Sequence, residues 1–294
     1  MPEGTIMKAL SGFYYVSDGE ALVQCRARGV FRKRKVTPLV GDHVEYEAER
    51  KTEGYILNIA RRKNELDRPP IANVDQAILV FSITEPAFDD LLLDRFLVHM
   101  EAKHIPSTIC MTKWDLLHEE EAEQWVAKLG VYKRAGYPLY FTSSLLGKGI
   151  DELRRSLSGE VSVITGQSGV GKSSLLNAID HHFHIDTQAI SQSLGRGKHT
   201  TRHVELLPVA GNGFIADTPG FSSLDFSHLS LQQLEQCFPE FAGYRGFCRF
   251  RGCMHIAEPD CAVKHAVEEG EMDRRRYDHY HLFYNEITRQ KKQY

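Results

Sequence analysis

The sequence lacks the features that would place the protein in a membrane or outside the cell. No run among its 294 residues approaches the roughly 18 consecutive apolar residues of a transmembrane helix. The first residues, MPEGTIMKALSG, contain neither the charged leader nor the apolar core of a secretory signal. We therefore expect a cytoplasmic protein with no membrane partner.

The sequence also lacks a strong net charge and the export signal that accompanies disulfide-bonded proteins. The formal net charge is only −3, which by itself predicts no nucleic-acid partner. Six cysteines without an export signal favour free thiols or a metal site over disulfides. What remains, 42% hydrophobic and 26% charged residues, is typical of a globular chain long enough for two or three domains.

A glycine-rich segment in the middle of the chain predicts a phosphate-binding loop. Val161 to Thr165 is typical of a buried strand, and apolar residues from Leu175 onward follow at helical spacing. The segment between them matches GxxxxGKS from Gly166 to Ser173, in which glycines let backbone N–H groups converge on a polyphosphate at a helix N-terminus. In this pattern Lys172 reaches the β- and γ-phosphates and Ser173 ligates Mg²⁺, whereas a turn that binds nothing is the weaker alternative. The predicted nucleotide-binding residues here are Gly166, Gln167, Ser168, Gly169, Val170, Gly171, Lys172, Ser173 and Ser174.

Short β-rich runs at the N-terminus predict a barrel. Four or five strands in about 66 residues favour a small barrel of the OB type, and the runs are 12–17, 21–27, 42–47 and 53–59. Between the second and third runs, Arg26 to Lys35 holds six cations among ten residues, which is typical of a solvated loop or of a nucleic-acid-binding surface. An OB barrel favours the second interpretation, with cations on phosphates and Phe31 exposed for base stacking.

The segment Arg68-Pro69-Pro70 marks a linker to a domain in which strands and helices alternate. Its predicted strands are 77–82, 107–111, 139–141 and 161–165. Helices are predicted at 90–103, 119–129 and 150–157. This order is typical of an α/β domain with a parallel sheet.

Two polar motifs follow predicted strands, at the edge of the sheet where ligands bind in open α/β folds. The first motif is Thr112 to Asp115. Its Asp115 can accept from both N1–H and the exocyclic amine of guanine, whereas adenine would leave the carboxylate unpaired at a cost of several kcal/mol. The Lys113 stem would lie along the purine face. The second motif, at 142–144, either supports the base or is a plain N-cap to a turn. The predicted base-binding residues are Thr112, Lys113, Trp114, Asp115, Thr142, Ser143 and Ser144.

Beyond the phosphate loop, residues 185–202 lack periodicity and are predicted to form a loop. Such a loop can close over a γ-phosphate, with a threonine hydroxyl on Mg²⁺ and His199 nearby, or can be a mobile connector. Strands are predicted at 204–209 and 214–216, and the second leads to Asp217-Thr218-Pro219-Gly220. There Asp217 can hold a water on Mg²⁺, and the N–H of Gly220 can contact the γ-phosphate.

Three cysteines and a histidine near the C-terminus predict a structural zinc site. The ligands Cys248, Cys253, His255 and Cys261 form a tetrahedral set that leaves no position for water. The alternative, free cysteines of a core, does not explain why they crowd into a Gly- and Arg-rich segment. Helices are predicted at 231–237 and 273–290, and arginines at 249, 251 and 274–276 give a second cationic surface.

Over essentially its whole length the chain resembles the circularly permuted, ribosome-small-subunit-dependent GTPase family (RsgA, also called YloQ). The motifs that carry the resemblance are TKWD at Thr112, GQSGVGKSS at Gly166, GRGKHTTR at Gly195, DTPGF at Asp217 and the Cys/His cluster at Cys248. Ordinary GTPases begin with the phosphate loop, whereas here the base motif precedes it. The expected fold is multidomain α/β: an OB-type barrel (1–66), a circularly permuted P-loop GTPase domain (67–222) and an α-helical zinc-binding domain (223–294).

The resemblance implies a GTPase that the small ribosomal subunit stimulates and that acts in late maturation of that subunit. It implies Mg²⁺ with GTP, one structural Zn²⁺ and rRNA as a partner. We expect a monomeric chain, although the sequence does not determine the oligomeric state. The resemblance also implies that Thr201 is the Mg²⁺-sensing threonine and that His199 assists hydrolysis, although the residues themselves do not distinguish Thr200 from Thr201. Two alternatives remain open: an RNA-binding module in which GTP is a structural clamp, and a GTPase that acts on a non-ribosomal RNA.

One consequence follows from the order of the motifs, and another from the residue after the DxxG glycine. Because 217–220 leads directly into the C-terminal domain, nucleotide state can act on that domain. Many GTPases have a water-orienting glutamine after the DxxG glycine, but Phe221 stands there in this sequence, and it can neither donate nor accept a hydrogen bond. Unaided turnover is therefore expected to be slow.

Overall fold

The computed structural model describes residues 1–67, 69–183, 204–216 and 224–292. Its N-terminal part consists of five strands and a one-turn helix, α1 (Gly29–Lys33). The strands are β1 (Glu3–Leu10), β2 (Phe13–Ser17), β3 (Leu22–Ala27), β4 (His43–Arg50) and β5 (Glu53–Ile59).

The pairings of these strands close on themselves. β1 pairs with β2, β2 with β3, β3 with β5, β5 with β4 and β4 again with β1. Inward-facing side chains such as Val16, Cys25 and Ile56 are fully buried, so the ring of strands encloses its own core. The closed ring agrees with the OB-type barrel that the sequence predicts.

Two expectations about the barrel are wrong. The sequence interpretation missed β1, in which a register shift between Ile6 and Lys8 breaks the two-residue alternation. Phe31 is not exposed, because α1 packs its ring into the barrel core and leaves it 5% accessible. The cations at 32–35 remain exposed around this helix.

A small hairpin lies where the sequence predicts a linker. β6 (Glu65–Asp67) pairs antiparallel with β7 (Pro70–Ala72), so Pro70 begins a strand instead of separating two domains. Ile71 is fully buried and forms a bridge with Val40 of the barrel. The hairpin therefore packs against the barrel.

The central domain has the alternating order that the sequence predicts. Its strands are β8 (Gln76–Ser82), β9 (Ser107–Thr112), β10 (Leu139–Phe141), β11 (Val161–Thr165), β12 (Val204–Val209) and β13 (Gly213–Ala216). Its helices are α2 (Asp90–Ala102), α3 (Glu119–Arg134), α4 (Ile150–Ser156) and α5 (Lys172–Ile179). The predicted elements are confirmed, except that α3 continues five residues beyond the predicted Leu129.

The strand order is β10-β9-β8-β11-β13-β12, and all neighbours are parallel except β12 and β13. The central strand β8 is buried on both faces. Its Leu79 packs in a core with Phe96 of α2, whereas Val80 packs on the other face with Leu153 of α4 and Leu175 of α5. Helices therefore cover both sides of the sheet, as a parallel sheet requires.

The barrel and the central sheet are continuous. β1 pairs antiparallel with β12 through Lys8 opposite Glu205 and Ala9 opposite Val204. One hydrophobic cluster extends from Ile6 in the barrel to the face of the central sheet that contains Leu79.

The C-terminal part is helical and has a core of its own. Its helices are α6 (Leu231–Gln236), α7 (Ala262–Glu268) and α8 (Arg274–Lys292), and α6 and α8 confirm the two predicted helices. Phe238, Tyr280 and Phe283 are completely buried in this core, which Val98 of α2 joins. Among the residues described, no helix combines the length and the hydrophobicity needed to span a bilayer.

Candidate nucleotide and metal sites

The loop between β11 and α5 requires glycine at the positions that the motif specifies. At Gly166 a Cβ atom would lie 2.1 Å from the carbonyl oxygen of Val80, so no larger residue fits. Gly171, the N-cap residue of α5, has a φ of 94° in the left-handed region. The loop therefore approaches β8 closely and presents the N-terminus of α5 at the carboxyl edge of the sheet, where a polyphosphate is favoured.

The lysine of the motif lies over the loop. Nζ of Lys172 donates to the carbonyl oxygens of Gly166 at 2.7 Å and Gln167 at 2.6 Å. This places a positive charge at the mouth of a loop whose backbone N–H groups also favour an anion. Ser173 and Ser174 follow in the first turn of α5 and are partly accessible.

Thr112 connects the predicted base motif to the phosphate loop. Its buried hydroxyl lies 3.1 Å from the carbonyl oxygen of Phe81 and within hydrogen-bond distance of the carbonyl oxygen of Val170. The hydroxyl has one proton, so it donates to one of these carbonyls at a time. The end of β9 and the phosphate loop are thus adjacent.

The rest of the base motif turns away from β9. Lys113 has a left-handed φ of 61°, and its ammonium donates to the carbonyl of Glu85. Asp115 lies in a short turn, Trp114–Leu116, and is half-buried.

Residues 142–144 lie beside the base motif. The N–H of Trp114 donates to the carbonyl of Thr142 at 3.0 Å, and the Trp114 ring lies 4.2 Å from that of Phe141. The hydroxyl of Ser143 accepts from the N–H of Leu146 at 3.0 Å, which is the local turn that the sequence left as an alternative. The structure therefore brings 112–115, 142–144 and 166–174 to one edge of the sheet.

Four predicted site residues lie outside the described residues: His199, Thr201, Asp217 and Gly220. The neighbouring strands are described. β13, which precedes Asp217 in the sequence, runs parallel to β11 and ends at Ala216, at the same edge of the sheet as the phosphate loop.

The cysteines and histidine predicted to bind zinc do come together. The sulfurs of Cys248, Cys253 and Cys261 and a nitrogen of His255 all lie within 4.8 Å of one another. Nδ1 of His255 lies 3.3 Å from the Cys261 sulfur and 3.6 Å from the Cys248 sulfur, which itself is 3.9 Å from that of Cys261. Tetrahedral Zn–S bonds of about 2.3 Å place two sulfurs about 3.8 Å apart, so the cluster fits a small divalent cation.

Burial makes these ligands depend on a cation. It raises the pKa of the Cys253 thiol to about 12 and also raises the pKa of Cys261. A bound cation supplies the positive charge that thiolates need in this surrounding. Three thiolates and one imidazole nitrogen are ligands that zinc prefers.

Sequence reasoning missed a carboxylate that supports the cluster. Oε1 of Glu235 lies 3.2 Å from Nε2 of His255, and the Arg245 guanidinium donates to the same oxygen. Burial opposes ionisation of Glu235, but its hydrogen bonds with His255 and Arg245 outweigh that effect and hold its pKa below its usual value. Glu235 therefore orients the imidazole so that Nδ1 faces the sulfurs.

Comparisons with known proteins agree with this arrangement. The sequence matches the RsgA GTPase family over residues 59–227 and the RsgA N-terminal domain over residues 3–56. It is 57% identical to the "Small ribosomal subunit biogenesis GTPase RsgA" of Shouchella clausii over 294 residues, which is 100% of both chains. The protein of the same description from Geobacillus kaustophilus is also 57% identical, with the same coverage.

Two solved structures share the whole fold. The circularly permuted GTPase YloQ superimposes with a TM-score of 0.83 at 48% identity, covering 98% of this chain and 95% of that one. YjeQ from Thermotoga maritima gives a TM-score of 0.85 at 35% identity and covers 98% of both chains. With its phosphate loop after its base motif and its matches along the full length, the chain belongs to the RsgA GTPase family.

Proposed function

We propose that the protein hydrolyses GTP to GDP and phosphate at the edge of the central sheet, and that the small ribosomal subunit stimulates this hydrolysis during late maturation of the subunit. One observation carries the nucleotide assignment: the hydroxyl of Thr112 lies against the carbonyl of Val170, so the base motif and the phosphate loop are in direct contact. The ribosomal partner is supported by the names of the full-length relatives.

Guanine is selected by Asp115. The carboxylate of this half-buried residue accepts from N1–H and the exocyclic amine, while Lys113 covers the purine face and Thr142 accepts from the N–H of Trp114 in the base motif. We expect Asp115→Asn to shift the preference from GTP to xanthosine triphosphate, because the amide can donate to the carbonyl that replaces the amine. Unchanged GTP affinity in a fluorescence titration of this variant would place base selection elsewhere.

The phosphates and Mg²⁺ occupy the loop at 166–174. Its N–H groups and Lys172 contact the β- and γ-phosphates, and Ser173 and Thr201 ligate Mg²⁺. Asp217 holds a water on Mg²⁺, and Gly220 contacts the γ-phosphate. Lys172→Ala should weaken triphosphate binding, and Ser173→Ala should raise the Mg²⁺ concentration needed for binding. Normal hydrolysis in both variants would refute this assignment.

Phe221 can neither donate nor accept a hydrogen bond, so another residue must orient the attacking water. We assign this role to His199. Binding of the ribosomal partner places His199 at the γ-phosphate. We expect His199→Ala to lose most of the stimulated rate while its affinity for GTP stays unchanged. A stimulated rate that persists in this variant would exclude the role of His199.

Zinc is the cation of the Cys248, Cys253, His255 and Cys261 cluster, and its role is structural. Four protein ligands leave no open position, so the metal stabilises the C-terminal domain and takes no part in hydrolysis. Elemental analysis of freshly purified protein should give about one zinc per chain. Its absence would refute the identification.

The protein works as a cytoplasmic monomer that binds rRNA of the small subunit through cations on the barrel and the C-terminal domain. Sedimentation with purified small subunits, in the presence of GDP or a nonhydrolysable GTP analogue, tests this partner. We expect co-sedimentation with the analogue, weakened by salt and by neutralising Arg32 to Lys35. Failure to co-sediment in low salt would refute the ribosomal assignment and favour GTP hydrolysis linked to another RNA.

A further inference from the structure

The C-terminal domain contains a cavity of about 350 Å³ that includes no metal ligand and no proposed nucleotide contact. One wall comes from the short turn Arg245–Phe247 with the residue before it, and the other comes from α7 with the residues on either side of it. The lining consists of two aromatic side chains, three carboxylates and three residues of α7. The aromatic and acidic members are Tyr244, Phe247, Asp260, Glu269 and Glu271.

The two walls of the cavity are joined at the metal cluster. Phe247 directly precedes Cys248, and Asp260 directly precedes Cys261. The sulfurs of these two cysteines lie 3.9 Å apart, and the N–H of Arg249 donates to the carbonyl of Asp260 at 3.2 Å. The walls are therefore held at a fixed separation by the fold of the domain.

An aromatic ring of the cavity is open to solvent. Phe247 is 79% exposed, although phenylalanine is among the residue types that folded proteins most often bury. The ring of Tyr244 is half-buried, and its hydroxyl donates to the carboxylate of Glu271 at 3.0 Å. The cavity therefore offers an aromatic face to a ligand.

The charge of the cavity is negative. None of the described residues that line it is a lysine or an arginine. Asp260 pairs with Arg249 at 2.8 Å, but in the described part of the chain no lysine or arginine lies within ion-pair distance of the exposed Glu269. Carboxylates repel phosphates, so this charge favours a cationic ligand over RNA.

We propose that this cavity binds an arginine side chain from an arginine-rich segment of a partner protein, with the guanidinium on the ring of Phe247 and against the carboxylate of Glu269. A guanidinium combines a plane that stacks on an aromatic ring with N–H groups that donate to a carboxylate, whereas a lysine ammonium has no plane. The segment belongs to a protein of the small ribosomal subunit, and this identification rests on the proposed function. The cavity would then contact protein, while cations elsewhere on the chain contact rRNA.

The test measures binding of a fluorescein-labelled peptide of alternating arginine and glycine to the full-length protein by anisotropy. Phe247→Leu and Glu269→Gln should each weaken binding about threefold, since an exposed cation–π contact or ion pair contributes at most about fivefold. The double variant should lose about tenfold. The matched controls are Phe250→Leu and Asp278→Asn, which change an exposed aromatic and an exposed carboxylate of the same domain outside the cavity. Both controls should bind the peptide as the wild type does, and no variant should change the melting temperature.

The composition of the peptide separates stacking from charge attraction. A peptide with lysine in place of every arginine has the same charge but lacks the planar group. The wild type should bind it about threefold more weakly than the arginine peptide, because the stacking on Phe247 is lost. Phe247→Leu should bind both peptides equally, whereas Glu269→Gln should keep the preference for arginine.

Three results would overturn the inference. The first is wild-type affinity of the double variant for the arginine peptide. The second is equal affinity of the wild type for the two peptides, or displacement of the arginine peptide by spermidine at the same charge concentration, since any polycation would then be bound. The third is weaker binding of single-stranded RNA, or loss of self-association, in Glu269→Gln, which would assign the cavity to RNA or to a second copy of the chain. The peptide assay contains no ribosomes, so protein that binds the arginine peptide but not small subunits contradicts the ribosomal assignment and not the binding of arginine.

Discussion

The two domains that flank the central sheet are attached to it by different physical means. The barrel shares one hydrophobic cluster with the sheet, and the ion pair at its junction, Lys8 with Glu205, is accessible, with side chains 32% and 42% exposed. The C-terminal domain has its own core, which Val98 of α2 joins, and it also meets α2 through charged groups that are buried. Arg276 of α8, 3% exposed, pairs there with fully buried Asp94 of α2.

The buried contact is a network and not a single pair. Arg276 also donates to Glu240 at 3.0 Å, and its guanidinium lies 5.1 Å from the centre of the Tyr132 ring. The imidazole of His279 pairs with the second oxygen of Asp94. Each charge is thus compensated, but removal of any partner leaves another charge buried. We therefore expect the barrel junction to tolerate the loss of its ion pair better than the C-terminal contact tolerates the loss of any member.

The largest expected effect concerns the metal cluster of the C-terminal domain, whose four ligand side chains lie close enough together to hold a cation. Cys253→Ser should reduce the metal content from about one per chain to near zero and unfold the C-terminal domain, since structural zinc contributes about 10–16 kcal/mol in small zinc domains. Elemental analysis and circular dichroism measure the two effects. Cys237→Ser is the control, a buried cysteine of the same domain outside the cluster. Equal metal content in both variants would contradict the assignment.

The next effect compares the two junctions directly. Arg276→Met should lower the free energy of unfolding by about 3–5 kcal/mol, because it removes the guanidinium that pairs with buried Asp94 and with Glu240. Lys8→Met should cost about 0–1 kcal/mol, the usual range for an accessible ion pair. Urea unfolding followed by fluorescence gives both values. Similar costs for the two variants would remove the distinction between the junctions.

A smaller effect is expected from the carboxylate behind the metal ligand. Glu235→Gln keeps the shape of the side chain but loses the charge that orients His255, and such changes typically cost about 10- to 100-fold in metal affinity. Competition with a chromogenic chelator measures that affinity. Glu258→Gln, which alters a carboxylate bonded to backbone N–H groups near the cluster, serves for comparison. If Glu235→Gln bound metal as tightly as the wild type, Glu235 would not orient the ligand.

The smallest effect concerns pH at the contact between α2 and the C-terminal domain. Burial against Phe226, with smaller contributions from His228 and Arg95, lowers the pKa of His99 from 6.5 to about 4, although a hydrogen bond with the backbone of Leu224 and the charge of Asp225 oppose the shift. Since the unfolded chain binds this proton below pH 6.5 and the folded chain does not until about pH 4, stability is lost as pH falls through that window. His99→Gln should make the melting temperature less dependent on pH between 6.5 and 4. His265→Gln, which replaces an exposed histidine of α7, should leave the pH dependence of the melting temperature as in the wild type. A wild-type pH dependence in His99→Gln would contradict the role of His99.

The sequence predicted the features that are determined by residues close together in the chain. The phosphate loop requires its glycines and Lys172 at fixed spacing, so its geometry could be inferred before the structure was known. The same holds for the metal ligands, which lie within 14 positions of one another. Alternation of strands and helices also identified the central domain, because its buried strands are continuous apolar runs.

Contacts between distant segments could not be predicted. Asp94 and Arg276 are separated by 182 positions, and nothing in either segment specifies the other. The bulge in β1 removed the alternation on which a strand prediction depends, and the five residues of α1 are too few to show helical periodicity. Phe31 was therefore assigned to the surface.

The rate of GTP hydrolysis with and without purified small ribosomal subunits tests the central claim most directly. Phosphate release should be slow for the protein alone, increase strongly with subunits, and lose that increase as salt is raised. Large ribosomal subunits at the same concentration provide the control. A rate that small subunits leave unchanged at low salt, in protein that binds GTP normally, would contradict the claim.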